Sequence, residues 1–216
     1  MKFENTDIWG FEHALRGMRN PKNSWSQSDS WNMSFDDPDF EKHGGYWIGP
    51  KDMKLAQTLI KAGPEHRKFL RQIFVSVDIT APLYWWKEFD TYKVGTVANS
   101  TSTMHKIHAK AICREDFSCD RMDNGGLAML DAIIAYLESE RAKFLDNKED
   151  RQSWHNMIQI LPTSYNQMRT VSLNYENLIN IYYARRNHKL AEWHVLCDWI
   201  MSLPYAKDLI AVKEEN

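Results

Sequence analysis

The chain has 216 residues, 43% of them hydrophobic, so it can bury a sizeable core and one domain is expected. Its formal net charge of −2 gives no overall attraction to nucleic acid or to an anionic membrane. Three cysteines are too few for a secreted disulfide scaffold. No apolar signal core follows Met1, and no apolar run reaches the roughly 18 residues of a membrane span. These features predict a cytoplasmic protein without nucleic-acid or membrane partners.

The N-terminal quarter is polar and rich in tryptophan. We expect a single domain over 1–216, in which residues 1–50 are an extension and 51–216 form the core. The extension starts with strand-like residues and then a short helix over 10–20, which Pro21 stops. Its remainder is rich in Ser, Asn, Asp, Gly and Pro, which favour turns. We predict an ordered loop held by its tryptophans, with disorder as the alternative.

Regular hydrophobic patterns begin at Lys51. A helix is predicted from there to Ala62, before the break at Gly63-Pro64. Residues 73–79 alternate apolar with other side chains, which is the period of a half-buried strand. Pro82 then occupies a position that the first turn of a helix tolerates, so another helix is predicted to begin there.

The second half of the chain is mainly helical in pattern. After Gly125-Gly126, apolar residues recur at three- and four-residue spacing and predict a helix with a core-facing stripe: Leu127, Leu130, Ile134 and Leu137. We interpret this stripe as packing and not as a cofactor site. An extended segment is predicted over 163–173, and further helices over 149–160, 174–186 and 190–203.

The helix predicted at 174–186 carries the strongest local indication of a binding site. At about 100° per residue, one face combines two amides and a guanidinium with aliphatic side chains: Asn174, Asn177, Leu178, Ile181 and Arg185. A planar ligand with ring carbonyls and an N–H, such as a pyrimidine or an isoalloxazine, would pair with both kinds of polar group. The alternative is a hydrogen-bond network between subunits, or solvated helix ends.

Residues 161–200 resemble the flavin-dependent thymidylate synthases, the ThyX family. The matching features are Leu161-Pro162, a polar run, an Asn that enters an apolar helix, an Arg at its end, and Ala191-Glu192-Trp193. A weaker match extends back to residue 66 and includes Ala81-Pro82. The resemblance implies an α+β fold with a central mixed or antiparallel sheet flanked by long helices. It also implies a homotetramer with its sites between subunits.

The same resemblance implies site residues on this helix. In the family, the Asn that enters the helix, a later Asn and the Arg at its end line the flavin and nucleotide pocket, which corresponds to Asn174, Asn180 and Arg185. Arg185 is implied to hold the uracil ring and to stabilise negative charge on it, so it is both a catalytic and a substrate-binding candidate. His188 is the nearest match to a cofactor-binding His that follows the Arg.

The Arg-His-Arg signature of the family is rewritten in this chain. Counting from Ala81-Pro82 places Thr91, Tyr92 and Lys93 at its three positions. Tyr92 and Lys93 remain the implied cofactor contacts at this point, and Lys93 is the one cation among the three. Each lost bidentate arginine contact removes about 1.5–3 kcal/mol per charged hydrogen bond to a phosphate.

Other family positions around the signature are also changed. The Gln position holds Glu88, and the later Asn and Ser positions hold Asn99 and Ser102. The resemblance therefore implies substrate contacts from Glu88 and Asn99, and a catalytic role for Ser102 in positioning the nucleotide. The cations that could compensate for the lost arginines are Lys87, Lys106, Arg16 and Arg19. A solvated basic face is the alternative for the last two.

Two functions follow from the resemblance. The first is a divergent FAD-dependent enzyme that transfers a one-carbon unit to C5 of a deoxyuridylate-type nucleotide, with methylenetetrahydrofolate and NADPH as co-substrates. The second is a repurposed protein of the same fold that binds a nucleotide or a protein partner without turnover. The rewritten signature favours the second, and the retained Asn174, Asn180 and Arg185 favour the first.

Zinc binding is a separate alternative. The spacing His-x2-His-x4-Cys-x5-Cys offers four residues of types that zinc accepts, His105, His108, Cys113 and Cys119. That spacing matches no standard zinc motif. The chain also has no G-x-S-x-G, G-x-G-x-x-G or P-loop sequence, so we predict neither a serine hydrolase nor a Rossmann nucleotide site, and no metal.

Overall fold

The computed structural model describes residues 1–212 and has an α+β fold, which confirms the predicted class. The strands are β1 (Lys2–Trp9), β2 (Trp31–Asn32), β3 (Tyr46–Trp47), β4 (Phe74–Pro82), β5 (Val97–Ser100) and β6 (Asn166–Asn174). The helices are α1 (Phe11–Arg19), α2 (Pro50–Lys61), α3 (Leu83–Phe89), α4 (Thr103–Lys106), α5 (Asn124–Asp146), α6 (Arg151–Ile160), α7 (Tyr175–Arg185), α8 (Ala191–Ser202) and α9 (Ala206–Leu209). No helix within residues 1–212 is long and apolar enough to cross a membrane.

The main sheet has four strands in the order β1, β4, β6, β5. In β4, the predicted alternation is confirmed, because Val75, Val77 and Ile79 are fully buried. The short strands β2 and β3 form a separate antiparallel ribbon, with Trp31 opposite Trp47.

The chain divides into two compact units. The first unit contains residues 1–2, 78–91 and 99–170, and the second contains 3–77, 92–98 and the described residues from 171 onward. The prediction of a single domain stays a prediction.

The core of the first unit lies along α5 and α6. Leu130 and Leu137 of α5 and Met157 of α6 are buried together with residues of the preceding loops. Ile134 is partly buried against the same cluster. The predicted stripe on α5 is therefore core packing. The helix begins at an N-cap, Asp123, whose carboxylate accepts the N–H of Gly126 at 2.8 Å.

Aromatic rings fill part of the core of the second unit. The ring of Phe11 lies edge-on to Tyr175 at 5.8 Å and to Tyr205 at 5.6 Å between centroids. The hydroxyl of Tyr175 donates to the carbonyl of Pro204 at 2.6 Å. These contacts fix the first residue of α7, which is fully buried.

Residues 21–50 are ordered, as predicted, but their main anchor is a buried carboxylate. Asp52, fully buried at the start of α2, accepts hydrogen bonds from Arg19 Nε at 2.5 Å, Ser28 Oγ at 2.7 Å and Ser30 Oγ at 2.6 Å. These contacts tie the loop to α1 and α2. Because buried charges are costly unless they are paired, this cluster fixes the path of the loop.

The tryptophans have a smaller part in this order than predicted. Trp25 donates its indole N–H to Asn20 at 2.8 Å, yet 48% of its surface is exposed. Trp31 is 56% exposed and contacts the ring of Trp47. The prediction named the tryptophans as the residues that hold this loop. The buried contacts come instead from the polar groups around Asp52.

Candidate functional site

Helix α7 starts with a reciprocal cap made by two asparagines. The Oδ1 of Asn174 accepts the backbone N–H of Asn177 at 3.0 Å, and the Oδ1 of Asn177 accepts the N–H of Asn174 at 3.1 Å. Such a pair satisfies two of the N–H groups that a helix start leaves without partners. The two amides predicted to face a ligand thus have a structural role in starting the helix.

A loop of the second unit lies against this cap. The Nδ2 of Asn177 donates to the carbonyl of Val94 at 2.7 Å. The next residue, Gly95, has φ of +72°, and a Cβ there would approach the amide atoms of Asn177 and Asn174 to 3.1–3.2 Å. Both the left-handed backbone and the close approach favour glycine at this position.

The other end of α7 places Arg185 among aromatic rings. Its Nε donates to the hydroxyl of Tyr92 at 2.8 Å. The guanidinium carbon lies 4.4 Å from the centroid of the Trp193 ring and 5.5 Å from that of Tyr92, both within cation–π range. Arg185 is half-buried and Trp193 is fully buried. The bond to Tyr92 and the contact with Trp193 together fix the guanidinium.

His188 completes this group, which we call the Arg185 cluster: Tyr92, Arg185, His188 and Trp193. The His188 ring lies 6.1 Å from the Trp193 ring, edge-on. Its Nδ1 accepts the backbone N–H of Leu190 at 3.1 Å. The structure therefore brings together three of the predicted residues, and Trp193 is the buried ring they share.

Asn180 belongs to a different network. Its Oδ1 accepts from Arg67 Nη2 at 3.4 Å, and the Nε of Arg67 pairs with the Glu176 carboxylate at 3.0 and 3.2 Å. Arg67 is 5% and Glu176 7% exposed. This buried pair could not be predicted from the sequence, because its members are 109 residues apart and share no local pattern.

Three predicted residues lie in the first unit. Glu88 is half-buried on α3, and Asn99 is exposed on β5. Ser102 is the N-cap of α4, and its Oγ accepts the N–H of His105 at 3.2 Å. Ser102 also lines a cavity of about 630 Å³ together with Lys106, Lys110 and several hydroxyl and amide groups. Lys93, in contrast, is exposed in the second unit.

One of the cations expected to replace the lost arginines has another role. Arg19 is 3% exposed and pairs with Asp52, so the prediction that it offers a phosphate contact or a solvated face is wrong. Arg16 is exposed on α1, and Lys87 is exposed on α3. Lys106 lines the cavity beside Ser102.

The residues of the zinc alternative do not come together in the described part of the chain. The described part of the chain has no group of three or more His, Cys, Asp or Glu side chains that could hold a metal ion. The ring of His108 lies edge-on to Phe144, and the Sγ of Cys113 is 3.5 Å from an Asp116 carboxylate oxygen. The sequence spacing therefore does not produce a common ligand sphere.

The residues that the resemblance implies for FAD do not fit a flavin dinucleotide. Its diphosphate needs cations or several aligned N–H donors, whereas the three positions implied for the signature hold one cation, the exposed Lys93. The amide oxygens of Asn174 and Asn180 already accept hydrogen bonds from Asn177 and Arg67. Tyr92 is engaged with Arg185. Of the residues implied to hold FAD, Asn174, Asn180 and Tyr92 thus already make side-chain contacts inside the chain.

Comparisons with known proteins show the fold. No protein-family model matches the chain, and no curated protein matches it. A solved structure of the flavin-dependent thymidylate synthase ThyX from Helicobacter pylori, in complex with FAD and dUMP, is similar with a TM-score of 0.67 and 16% identity. The match covers 97% of this chain and 98% of that one. A second structure of the same enzyme with FAD and dUMP has the same TM-score and identity, with both chains fully covered. The predicted ThyX-like fold is confirmed.

Proposed function

We propose that this chain is a repurposed protein of the ThyX fold that binds a uridylate-type nucleotide at the Arg185 cluster without flavin-dependent turnover. The observation that carries the proposal is the fixed guanidinium of Arg185, held by Tyr92 and by the Trp193 ring. The likeness to two dUMP-bound structures over their full length supports the class of ligand.

The chemistry of the cluster suits a uracil ring. Uracil presents carbonyl oxygens, and a guanidinium offers a planar set of N–H donors that can serve two acceptors at once. Contact with a buried tryptophan holds the planar guanidinium in position, so less side-chain freedom is lost when the base binds. A half-buried site also strengthens these hydrogen bonds relative to bulk water.

The test is a calorimetric titration of the full chain with dUMP, using Arg185→Ala. Loss of charge-assisted hydrogen bonds worth about 1.5–3 kcal/mol should weaken binding about 10- to 150-fold. The matched control is Arg186→Ala, which removes the same charge one residue away. The Arg186 guanidinium contacts the rings of Tyr182 and Tyr183 instead. Equal affinity of the Arg185→Ala variant and the unsubstituted chain would reject the proposed site.

The second candidate is the FAD-dependent enzyme. It is favoured by the FAD present in both similar structures. In this reading FAD supplies the redox and one-carbon chemistry at C5 of the nucleotide, with methylenetetrahydrofolate and NADPH as co-substrates. Arg185 would hold the uracil ring, and Ser102 would help to position the nucleotide.

A spectrum of the purified protein from 300 to 550 nm, with and without added FAD, distinguishes the two candidates. Flavin bands that copurify, or saturable FAD binding followed by methylation of dUMP, would support the enzyme and overturn the repurposed protein. A colourless chain that binds dUMP but not FAD would support the repurposed protein.

A homotetramer, which the resemblance implies, and a cytoplasmic location, which the cysteine count and the N-terminal sequence predict, remain proposals. Light scattering of the purified chain tests the first, and a mass four times that of the chain is the expected result.

A further inference from the structure

The second unit contains a cavity of about 790 Å³ with aromatic walls. One wall is the stacked pair of Phe3 and Trp199, whose ring centroids are 4.9 Å apart with an angle of 9° between the planes. The lining also includes Phe35 and Phe40, whose ring centroids are 4.7 Å apart. The four rings belong to β1, α8 and the loop that precedes β3.

The loop side of this cavity presents an unusually exposed ring. Phe35 is 88% exposed, although contact with water is unfavourable for a phenyl group. The neighbouring ring of Phe40 is fixed, because it packs against Gly45. A Cβ added to Gly45 would come within 2.8 Å of that ring. The carbonyl of Gly45 accepts the backbone N–H of Met33 at 2.9 Å, and the N–H of Gly45 donates to the carbonyl of Phe40 at 2.8 Å. The exposed Phe35 ring thus contacts a ring, Phe40, that is held by packing and by hydrogen bonds of the loop.

The charged residues that line the cavity are all acidic. Asp7 and Glu41 line it, and none of its lining residues, all within 1–212, is Lys, Arg or His. Between Phe35 and Phe40 the loop carries three more carboxylates, at positions 36, 37 and 39. Lys42, the next residue after Glu41, pairs with Asp39 at 3.5 Å. Even with this pair, the loop over 36–42 carries more acidic than basic side chains.

We infer that this surface, the acidic aromatic cavity, docks a partner protein through a segment that carries arginine. A guanidinium is attracted to the faces of aromatic rings and forms charge-assisted hydrogen bonds with carboxylates, and the cavity offers both. An anionic ligand would be repelled by Asp7 and Glu41, and a purely apolar one would leave these carboxylates without a use. The inference does not depend on nucleotide binding at the Arg185 cluster.

The experiment uses the full chain and a fluorescein-labelled Gly-Ser peptide with three arginines, followed by anisotropy. A matched peptide with citrulline in place of arginine keeps the shape and removes the charge. The arginine peptide should bind at least about tenfold more tightly at low salt, and should weaken as ionic strength rises. Equal binding of the two peptides would overturn the inference.

Variants then locate the binding. Phe35→Ala should weaken the arginine peptide about two- to fivefold, the range of one exposed cation–π contact. Asp7→Asn combined with Glu41→Gln should weaken it by about tenfold. The controls are Phe74→Ala, an exposed ring (42%) that does not line the cavity, and Asp120→Asn, an exposed carboxylate (80%) of the first unit. Because Phe35 is exposed, its variant should melt like the unsubstituted chain.

Two further outcomes would also overturn the inference. If arginine amide alone competes as well as the peptide at equal guanidinium concentration, the ligand is a small free cation and the peptide assignment is wrong. The second outcome is self-association of the chain that Phe35→Ala abolishes, with no binding of the arginine peptide. The occupant would then be a second copy of the chain.

Discussion

Tyr92 shows how one replaced residue can change a site without emptying it. The resemblance implies the middle position of the signature for this residue, and its hydroxyl accepts from Arg185 Nε at 2.8 Å. Its ring lies 6.0 Å from Trp193, edge-on. A neutral residue thus supports the cation that the resemblance implies for the base, while it offers no charge for a phosphate.

The Tyr92→Phe substitution tests this support. It removes the hydroxyl and keeps the ring, so the cation–π contact remains while one hydrogen bond to a charged group is lost, at about 1.5–3 kcal/mol. We expect a loss of dUMP affinity of about tenfold or more, with little change in the melting temperature. The measurement is the dUMP titration, and an unchanged affinity would mean that the hydroxyl does not position Arg185.

Asp52 illustrates a residue whose role is stability. The Asp52→Asn substitution leaves the buried Arg19 guanidinium without its counter-charge, and should reduce the free energy of unfolding by about 3–5 kcal/mol. Urea unfolding measures the change. Asp39→Asn is the control, because Asp39 is exposed and paired only across the surface with Lys42, so a change within about 0.5 kcal/mol is expected.

The same carboxylate should make stability depend on pH. Burial of the Asp52 carboxyl opposes ionisation, but hydrogen bonds from Ser30 and Ser28 and the Arg19 pair outweigh it, so its pKa lies below the usual value. The contribution is therefore complete above about pH 4 and is lost as pH falls below that value toward the lowered pKa. In acid unfolding curves, Asp52→Asn should lack this part of the decline.

Among the elements, α7 depends on the asparagine cap at its start. Asn174→Ala removes the acceptor for the N–H of Asn177 and should cost about 1 kcal/mol of unfolding free energy. Asn174→Asp keeps an acceptor oxygen and adds negative charge at a helix start, so its stability should stay near that of the unsubstituted chain. Thermal unfolding of both variants is the measurement; equal losses would show that the cap does not stabilise α7.

Most elements could be predicted from local pattern, and the exceptions have physical reasons. The stripe through Leu130 and Leu137 predicted α5, and alternation predicted β4, because burial on one face leaves a period in the sequence. Strand β5 has four exposed residues and therefore no such alternation, and α4 has a single turn. Neither is long enough to produce a pattern.

Across the whole molecule, the candidate site was predictable from the helix face that carries Arg185 and from the resemblance to ThyX. That resemblance led to Arg185, Tyr92 and His188, which the structure places in one cluster. It could not reveal that Asn180 bonds with Arg67, or that Asn174 is a cap, because such contacts depend on residues distant in sequence or on backbone geometry. Fold likeness at 16% identity carries no information about these pairings.

The most direct measurement of the central claim is calorimetric titration of the purified chain with dUMP, first without FAD and then with saturating FAD. Because the Arg185 guanidinium is already fixed by Tyr92 and Trp193, we expect saturable dUMP binding without flavin and the same affinity when FAD is added. Binding of dUMP that occurs only in the presence of FAD would contradict it, and would support a flavin enzyme instead.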